Sequence, residues 1–171
     1  MSERLQRLED EAAILDTFRR YQYFYDASDI DGVATCFTED GVQINGRGTF
    51  VGRDQLRASY RYLVDHQRLA IHHGTNTIVR FDEQEPSTQA WLTSVFLCFY
   101  ADYEDQAAYV GGTYVMRMLK TDEEWLIAEH RITYNYRCPV DAVSRQLHPN
   151  PPAPDGALST RDLIEDRYQL A

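Results

Sequence analysis

The order of local patterns along the chain predicts an α+β fold, with three helices packed against one face of a curved antiparallel sheet. Helical patterns dominate residues 3–66, and four long strand-like runs with short connections follow in residues 70–137. Consecutive long strands joined by short turns favour an antiparallel meander, and helices that precede a meander cover one of its faces. The 171 residues are 43% hydrophobic and 26% charged, which is ordinary for a globular domain.

The helices are predicted from apolar residues that recur every three or four positions. The first covers residues 3–27, and the second is short and begins at an N-cap offered by Asp29. Residues 38–41 have the composition of a turn, and alternation over 42–51 around a Gly-Arg-Gly sequence predicts a small hairpin. A third helix is predicted over residues 52–66.

The four long strands are predicted where β-branched and aromatic residues dominate. Their predicted bounds are residues 70–81, 88–102, 107–119 and 124–137. Proline-rich sequence then excludes regular structure near residue 150, and a short helical pattern follows it. We therefore expect one α+β domain over residues 1–140 and a C-terminal Pro-rich tail with a short helix over residues 141–171.

Charge and motif content narrow the partners and the location. The net charge is −10, from 17 basic and 27 acidic residues, which argues against nucleic acid or an anionic membrane as the main partner. The N-terminus is a charged helix and not a secretory signal, and no apolar run approaches the roughly 20 residues of a membrane span. Three cysteines without CxxC spacing are typical of free thiols in a reducing compartment, so we expect a cytoplasmic protein.

The sequence Ile-His-His-Gly-Thr-Asn at residues 71–76 carries the strongest indication of chemistry. Alternation along a strand places His72, Gly74 and Asn76 on one face and His73 on the other. A histidine on the inner face of a curved sheet can act as an acid or a base near neutral pH, if a partner fixes its tautomer. We propose Asp26, at the end of the first helix, as that partner, and we read Gly74 as a bulge or a close approach of another group.

Four blocks of sequence carry a resemblance to a known family. They are Tyr21 with Asp26, residues 71–76, Gly-Gly-Thr-Tyr at 111–114, and Trp125 with the Asn-Tyr and Pro that follow it. This pattern resembles the SnoaL-like branch of the nuclear transport factor 2-like superfamily, over about residues 12–139. The resemblance implies a cone of curved sheet and helices around a deep pocket.

Within that family the chain is most similar to the dehydratase-type members, such as lindane dehydrochlorinase, scytalone dehydratase and bile-acid dehydratase. In those enzymes an Asp on the first helix and a His on the first long strand form a catalytic dyad, and the matching residues here are Asp26 and His72. Tyr21 matches a Lys in the dehydrochlorinase and a Tyr in the bile-acid enzyme. Both enzymes have an Arg on the last strand, whereas this chain has His130 or Tyr134 there, so the substrate group that the Arg contacts is expected to differ.

The resemblance and the residue pattern together predict a cofactor-independent lyase of the dehydratase or dehydrohalogenase kind, acting on a hydrophobic cyclic small molecule. His72 would be the general base of the dyad. An isomerase or cyclase, and a non-catalytic ligand-binding protein or assembly subunit, remain as alternatives. No metal-ligand spacing and no nucleotide-binding motif occurs.

The substrate-binding candidates share an expected position on the pocket-facing side of the first helix or of a strand. Two of them have an equally plain structural reading, since Tyr21 also suits helix packing and Asn76 also suits a backbone contact. Cys98 is expected to line the pocket and not to act as a nucleophile. The candidates are Tyr21, Tyr25, Asn76, Cys98, His130 and Tyr134. As in the dehydratase relatives, we expect a homo-oligomer, either a trimer or a dimer.

Overall fold

The structure, a computed structural model, describes residues 2–104 and 106–140. The predicted tail, 141–171, lies outside the described residues, so the division into a domain and a tail stays a prediction. The helices are α1 (Glu3–Asp26), α2 (Ile30–Thr35) and α3 (Gly52–His66). The strands are β1 (Phe37–Asn45), β2 (Gly48–Val51), β3 (Gln67–Phe81), β4 (Gln89–Asp102), β5 (Ala107–Thr121) and β6 (Glu124–Val140).

Side-chain caps begin the first two helices, and the cap at Asp29 is the one that the sequence predicts. The Ser2 side chain accepts a hydrogen bond from the Leu5 amide, and Asp29 accepts one from the Gly32 amide at 2.9 Å. The buried face of α1 has helical spacing and contacts β3 and β6. Its buried residues are Asp10, Ile14, Thr17, Phe18, Tyr21, Gln22 and Tyr25. Leu5 and Leu8 are exposed, so the packed stripe begins later than the apolar pattern predicts.

The six strands form one curved, unclosed sheet in the order β2-β1-β6-β5-β4-β3. Strands β3 to β6 form the predicted antiparallel meander, and β1 pairs with β2 as the predicted hairpin. The α+β fold class is therefore confirmed. The parallel pairing of β1 with β6 makes the sheet mixed, and no local pattern predicted it.

The predicted turn at residues 38–41 is wrong, because β1 runs through these residues. The register between β1 and β6 shifts between Phe37 and Val42, so the polar residues and Gly41 form an irregularity within the strand and not a chain reversal. Register shifts also occur between Thr75 and Ile78 in β3 and at Gly111/Gly112 in β5. Such bulges increase the local bend and twist of a strand and thus favour a curved sheet.

The N-terminal half of α1 is anchored to the β5–β6 hairpin by one buried carboxylate. Asp10 accepts hydrogen bonds from the Trp125 indole N–H at 2.8 Å and from Lys120 at 3.1 Å. Burial would raise the pKa of Asp10, but these two hydrogen bonds, together with the positive charge of Lys120, outweigh it and hold the pKa below its usual value. Thr17 adds a hydrogen bond to the Trp125 carbonyl at 2.6 Å. These contacts fix the direction of α1, and its C-terminal end reaches β3.

Candidate functional site

Asp26 and His72 meet where the last residue of α1 lies against β3. The Asp26 Oδ1 atom lies 2.5 Å from His72 Nδ1, and Asp26 Oδ2 accepts the His72 backbone N–H at 2.8 Å. The His72 side chain is 7% exposed and that of Asp26 is 21% exposed. One carboxylate thus holds both the ring and the backbone of the same residue, so the imidazole has little freedom to rotate.

Gly74 allows α1 to come this close to β3. A Cβ atom at Gly74 would lie 2.6 Å from Gln22 Nε2 and 2.7 Å from the Phe18 ring, and both are residues of α1. Real Cβ contacts are not this short, so a side chain at this position would displace its neighbours. The prediction of a close approach at Gly74 is therefore confirmed.

The Asp26 contact determines which ring nitrogen of His72 is available for chemistry. An ionised carboxylate only accepts hydrogen bonds, so Nδ1 carries the proton and donates it. In the neutral ring the lone pair is then on Nε2, for which the described residues provide no hydrogen-bond partner. His72 lines a cavity, so the arrangement suits a base that faces a bound molecule.

The cavity has a volume of about 210 Å³ and lies between the inner face of the sheet, α1 and α3. Aromatic side chains and three amides dominate its wall. Its lining residues are Tyr21, Tyr25, Gln43, Asn45, Tyr60, Leu63, Gln67, His72, Phe96, Cys98, Tyr100, Val110, Tyr114, Ile132 and Tyr134. Such a wall of apolar surface with a few fixed polar groups is typical of a small-molecule site.

Burial keeps three tyrosines and the thiol of the wall neutral. It raises the pKa of Tyr21, Tyr60 and Tyr114 well above the usual tyrosine value, so these hydroxyls act as hydrogen-bond donors and not as anions. Burial also raises the pKa of the Cys98 thiol to about 12. A thiol that stays protonated is a poor nucleophile, which agrees with the expectation that Cys98 only lines the pocket.

Four of the six predicted substrate-binding residues lie on the cavity wall. They are Tyr21, Tyr25, Cys98 and Tyr134. The Tyr25 ring lies 4.8 Å from the His72 ring, measured between centroids, and the Tyr25 hydroxyl donates to Gln67 Oε1 at 2.8 Å. Tyr25 therefore packs against the dyad while its own hydroxyl is already engaged.

Strand alternation predicts that Asn76 faces the same side as His72, and this prediction is wrong. Asn76 is exposed and absent from the cavity wall. The register of β3 shifts between Thr75 and Ile78, and Asn76 has a positive φ of 52°. One extra residue in a strand turns every later side chain to the opposite face, so Ile78 is exposed as well.

His130 is on the inner face of the sheet, as predicted, but it lies behind the cavity wall. Its side chain is completely buried, and its ring packs edge-on against Tyr21 at 5.1 Å and Tyr114 at 4.8 Å. Both of these tyrosines line the cavity. The geometry therefore does not support the prediction that His130 contacts a substrate.

The sequence reasoning missed six polar groups of the wall, namely Gln43, Asn45, Tyr60, Gln67, Tyr100 and Tyr114. Tyr60 has the helical spacing of the buried side of α3, but nothing in the sequence indicates a partner for its hydroxyl. The alternation of β1 predicts the wrong facing for Gln43. Because the apolar Val42 and Ile44 flank it, Gln43 is expected to face solvent. Gln43 is instead 1% exposed, so no local signal could have found it.

Two further observations concern the described residues only. Within residues 2–104 and 106–140, no three His, Cys, Asp or Glu side chains are grouped as metal ligands would be. Neither α1 nor any other described helix combines the length and the apolar character that a bilayer span requires.

Solved structures of other proteins share this architecture. Hexachlorocyclohexane dehydrochlorinase (LinA) type 2 superposes with a TM-score of 0.76 at 21% identity, over 88% of this chain and 99% of that chain. A scytalone dehydratase-like protein from Novosphingobium aromaticivorans gives a TM-score of 0.72 at 20% identity, over 81% and 92%. A protein of unknown function from Mycobacterium tuberculosis gives 0.68 at 25% identity, over 79% and 77%.

These structural similarities show the fold, and the comparison with protein families also shows the family. No curated protein matches the chain. The family model of the SnoaL-like domain matches residues 6–131, which is most of the chain. The protein therefore belongs to the SnoaL-like family, whose fold is the nuclear transport factor 2-like cone.

Proposed function

We propose that the protein is a cofactor-independent lyase that acts on a compact, hydrophobic cyclic molecule, with Asp26 and His72 as its catalytic dyad. One observation carries the proposal: the 2.5 Å contact between Asp26 Oδ1 and His72 Nδ1 in the wall of the cavity. A histidine held in one tautomer, with its other nitrogen facing a largely apolar space, is suited to remove a proton from carbon.

The proposed reaction is a β-elimination. His72 Nε2 takes a proton from a ring carbon, and the electrons of that C–H bond form a C=C bond to the neighbouring carbon. The bond from that neighbouring carbon to its leaving group breaks, and the electron pair departs with the group. A halide leaves as the anion, and the imidazolium then loses its proton to solvent. A hydroxyl leaves as water after taking the proton from the imidazolium.

Asp26 supports this step by stabilising the imidazolium that forms when His72 takes the proton. A positioned general base contributes about 10²–10⁴-fold to a rate, so the remaining acceleration has to come from the cavity. Neutral tyrosine hydroxyls in a water-poor wall can stabilise negative charge that develops on the substrate.

The volume and lining of the cavity restrict the substrate. About 210 Å³ lies below the roughly 300–1,000 Å³ of typical ligand pockets, which favours a single ring with small substituents over a polycyclic molecule. The similar dehydrochlorinase is named for hexachlorocyclohexane, which is a molecule of this kind. Halogenated and hydroxylated rings are therefore the substrates to test.

The test begins with a panel of halogenated and hydroxylated cyclic compounds. Binding is detected as a rise in the unfolding temperature, and turnover as released halide or as alkene absorbance. We expect His72→Ala to lower kcat by about 10²–10⁴-fold on any compound that turns over. Asp26→Asn should also lower kcat strongly, since the amide N–H₂ facing Nδ1 would force the proton of His72 onto Nε2.

His73→Ala is the matched control, because His73 is the neighbouring histidine on the exposed face of β3. It should turn over substrate at the rate of the unmodified protein. Equal rates for His72→Ala and the unmodified protein would end the dyad proposal. Double-bond migration without release of a leaving group would identify an isomerase, and binding without any turnover would identify a ligand-binding protein.

We also propose that the protein is a homo-oligomer, a trimer or alternatively a dimer, that uses the outer face of the sheet. This face carries large apolar side chains that the described residues leave exposed, and patches of this kind mark interaction sites. They are Ile71, Ile78, Trp91, Val95, Tyr109 and Tyr136. A second copy of the chain would cover them with the same apolar surface.

A cytoplasmic location completes the proposal. Cys36, Cys98 and Cys138 are free thiols in the structure. Free cysteines persist in reducing compartments, whereas oxidising compartments favour disulfides.

A further inference from the structure

A chain of hydrogen bonds leads from the β1–β2 turn to the cavity, and the proposed elimination does not account for it. The Arg47 backbone N–H donates to Asn45 Oδ1 at 2.8 Å, and Asn45 Nδ2 donates to Gln43 Oε1 at 3.0 Å. Gln43 Nε2 donates to the Tyr60 hydroxyl, which in turn donates to the Tyr21 hydroxyl at 3.1 Å. Four side chains on β1, α3 and α1 thus form one continuous line.

The backbone N–H of Arg47 sets the direction of the chain as far as the Tyr60 oxygen, because a backbone amide can only donate. It requires the oxygen of the Asn45 amide to face it, so the Asn45 nitrogen faces Gln43. Gln43 must then accept with its oxygen and offer its nitrogen to Tyr60. No amide in this line can be flipped without setting two donors against each other.

The Tyr60 oxygen accepts from Gln43, and its own proton goes to the Tyr21 oxygen. The Tyr21 proton therefore cannot lie on the line to Tyr60. The nearest polar ring is that of His130, but neither of its nitrogens has a hydrogen-bond partner among the described residues. The remaining direction for the Tyr21 proton is the cavity, whose wall Tyr21 forms.

Burial protects this chain of hydrogen bonds from competition by water. Gln43, Tyr60 and Tyr21 are each 1% exposed, so solvent does not compete for their hydrogen bonds. Burial also raises the pKa of both tyrosines well above the usual value, and each hydroxyl keeps its proton at neutral pH.

We propose that Asn45, Gln43 and Tyr60 are positioning residues that point the Tyr21 proton into the cavity, so that the site selects molecules with a hydrogen-bond acceptor, such as a ring carbonyl, opposite Tyr21. This rests on the proposed function, for which it names the activating group. A carbonyl that accepts from Tyr21 acidifies the neighbouring C–H bond that His72 would attack, because the hydrogen bond stabilises the developing enolate.

The test uses acetophenone, labelled with ¹³C at its carbonyl, as a probe, and infrared difference spectroscopy as the readout. A hydrogen bond to a carbonyl lowers its stretching frequency. The unmodified protein should bind the probe with a carbonyl frequency lower than in hexane. Tyr21→Phe should restore the hexane-like frequency and weaken binding by about threefold to tenfold, the loss of one hydrogen bond.

Gln43→Glu tests the direction of the chain. A carboxylate at this position still accepts from Asn45 but also accepts from Tyr60. The Tyr60 oxygen then becomes the acceptor for the Tyr21 proton, which turns away from the cavity. The carbonyl frequency should rise toward that of the Tyr21→Phe protein at pH 9, and it should fall again as the pH is lowered to 6 and the buried Glu takes up a proton.

Gln55→Glu is the matched control. Gln55 is an amide outside the cavity wall, and its oxygen already accepts the Val51 backbone N–H, so the same change of charge reverses nothing in the hydrogen-bond chain. The carbonyl frequency of the probe bound to this variant should equal that in the unmodified protein.

Three outcomes would overturn the proposal. The first is a hexane-like carbonyl frequency, or no binding of the probe, in the unmodified protein. The second is a carbonyl frequency in Gln43→Glu that equals that of the unmodified protein at every pH from 6 to 9. The third is a frequency shift that is lost in Tyr60→Phe but kept in Tyr21→Phe. His72→Ala separates this proposal from the proposed reaction. It should leave the carbonyl frequency unchanged even though it removes turnover.

Discussion

His130 is a buried histidine whose pKa differs strongly from that of an exposed histidine. It is completely buried among aromatic rings, and neither ring nitrogen has a hydrogen-bond partner among the described residues. Burial, with a smaller contribution from the charge of His72, lowers the pKa of His130 to about 3. The folded protein therefore holds this histidine neutral, whereas the unfolded chain protonates it near pH 6.5.

This difference predicts a loss of stability in acid. Below pH 6.5 the unfolded state binds a proton that the folded state excludes, so the free energy of unfolding falls by about 1.4 kcal/mol per pH unit until the pH nears 3. Urea unfolding at pH 7.5, 6 and 5 should show this slope in the unmodified protein. His130→Met, which cannot be protonated, should reduce the slope by that amount.

His73→Ala is the control, since His73 is exposed, and its slope should match that of the unmodified protein. Parallel slopes for His130→Met and the unmodified protein would contradict the assignment of the acid sensitivity to His130.

At the scale of elements, the contact between α1 and β3 brings the dyad together. Asp26 is the last residue of α1, one helical turn beyond Gln22, and Gln22 lies over Gly74. The position of the carboxylate thus depends on a missing side chain two residues beyond His72. A displacement of the helix at Gly74 would move Asp26 as well.

Gly74→Ala is therefore expected to affect stability and chemistry together. Its Cβ would meet the core ring of Phe18, and overpacking of this kind costs about 1–3 kcal/mol. We expect urea unfolding to show that loss, and proton NMR to show a changed Nδ1–H resonance for His72. Gly46→Ala is the control, since its Cβ would lie 3.8 Å from the Tyr134 ring, an ordinary contact. Equal free energies of unfolding for the two variants would contradict this prediction, because α1 would then shift to accept the new Cβ atom without loss of stability.

At the scale of the whole molecule, the sheet has two different faces. The inner face packs against α1 and forms the cavity, whereas the outer face exposes aromatic and β-branched side chains. β3 is at the edge of the sheet, so its outer side chains border unpaired backbone groups. Both features favour the proposed association with further copies of the chain.

Val95→Glu places a charge in the middle of the outer face, where Val95 lies between Thr75 and Thr113 on the neighbouring strands. The unmodified protein should have the mass of a trimer, or of a dimer, by light scattering after size-exclusion chromatography. Val95→Glu should have the mass of a monomer, because a buried unpaired charge opposes association. Leu8→Glu is the control, as Leu8 is exposed on α1 and away from the sheet face. A monomeric unmodified protein, or an oligomeric Val95→Glu protein, would contradict the proposed interface.

The helices, the four long strands and the juxtaposition of Asp26 with His72 were predictable, whereas several features of the site were not. Helical and strand periodicity depends on neighbours within a few residues, so it can be read along the chain. The pairing of Asp26 with His72 was proposed from the need of an inward-facing histidine for a partner, and a family resemblance supported this long-range contact, which periodicity alone does not give. The reversal of facing at Asn76 and the burial of Gln43 had no such support.

The bulge in β3, the parallel contact of β1 with β6 and the inward direction of Gln43 all depend on contacts between segments far apart in the chain. Each segment alone is compatible with more than one register, and only the packed sheet makes one register lower in free energy than the others. Local pattern was therefore sufficient for the elements and their order. The shape of the cavity, and the polar groups that face into it, followed from how those elements pack.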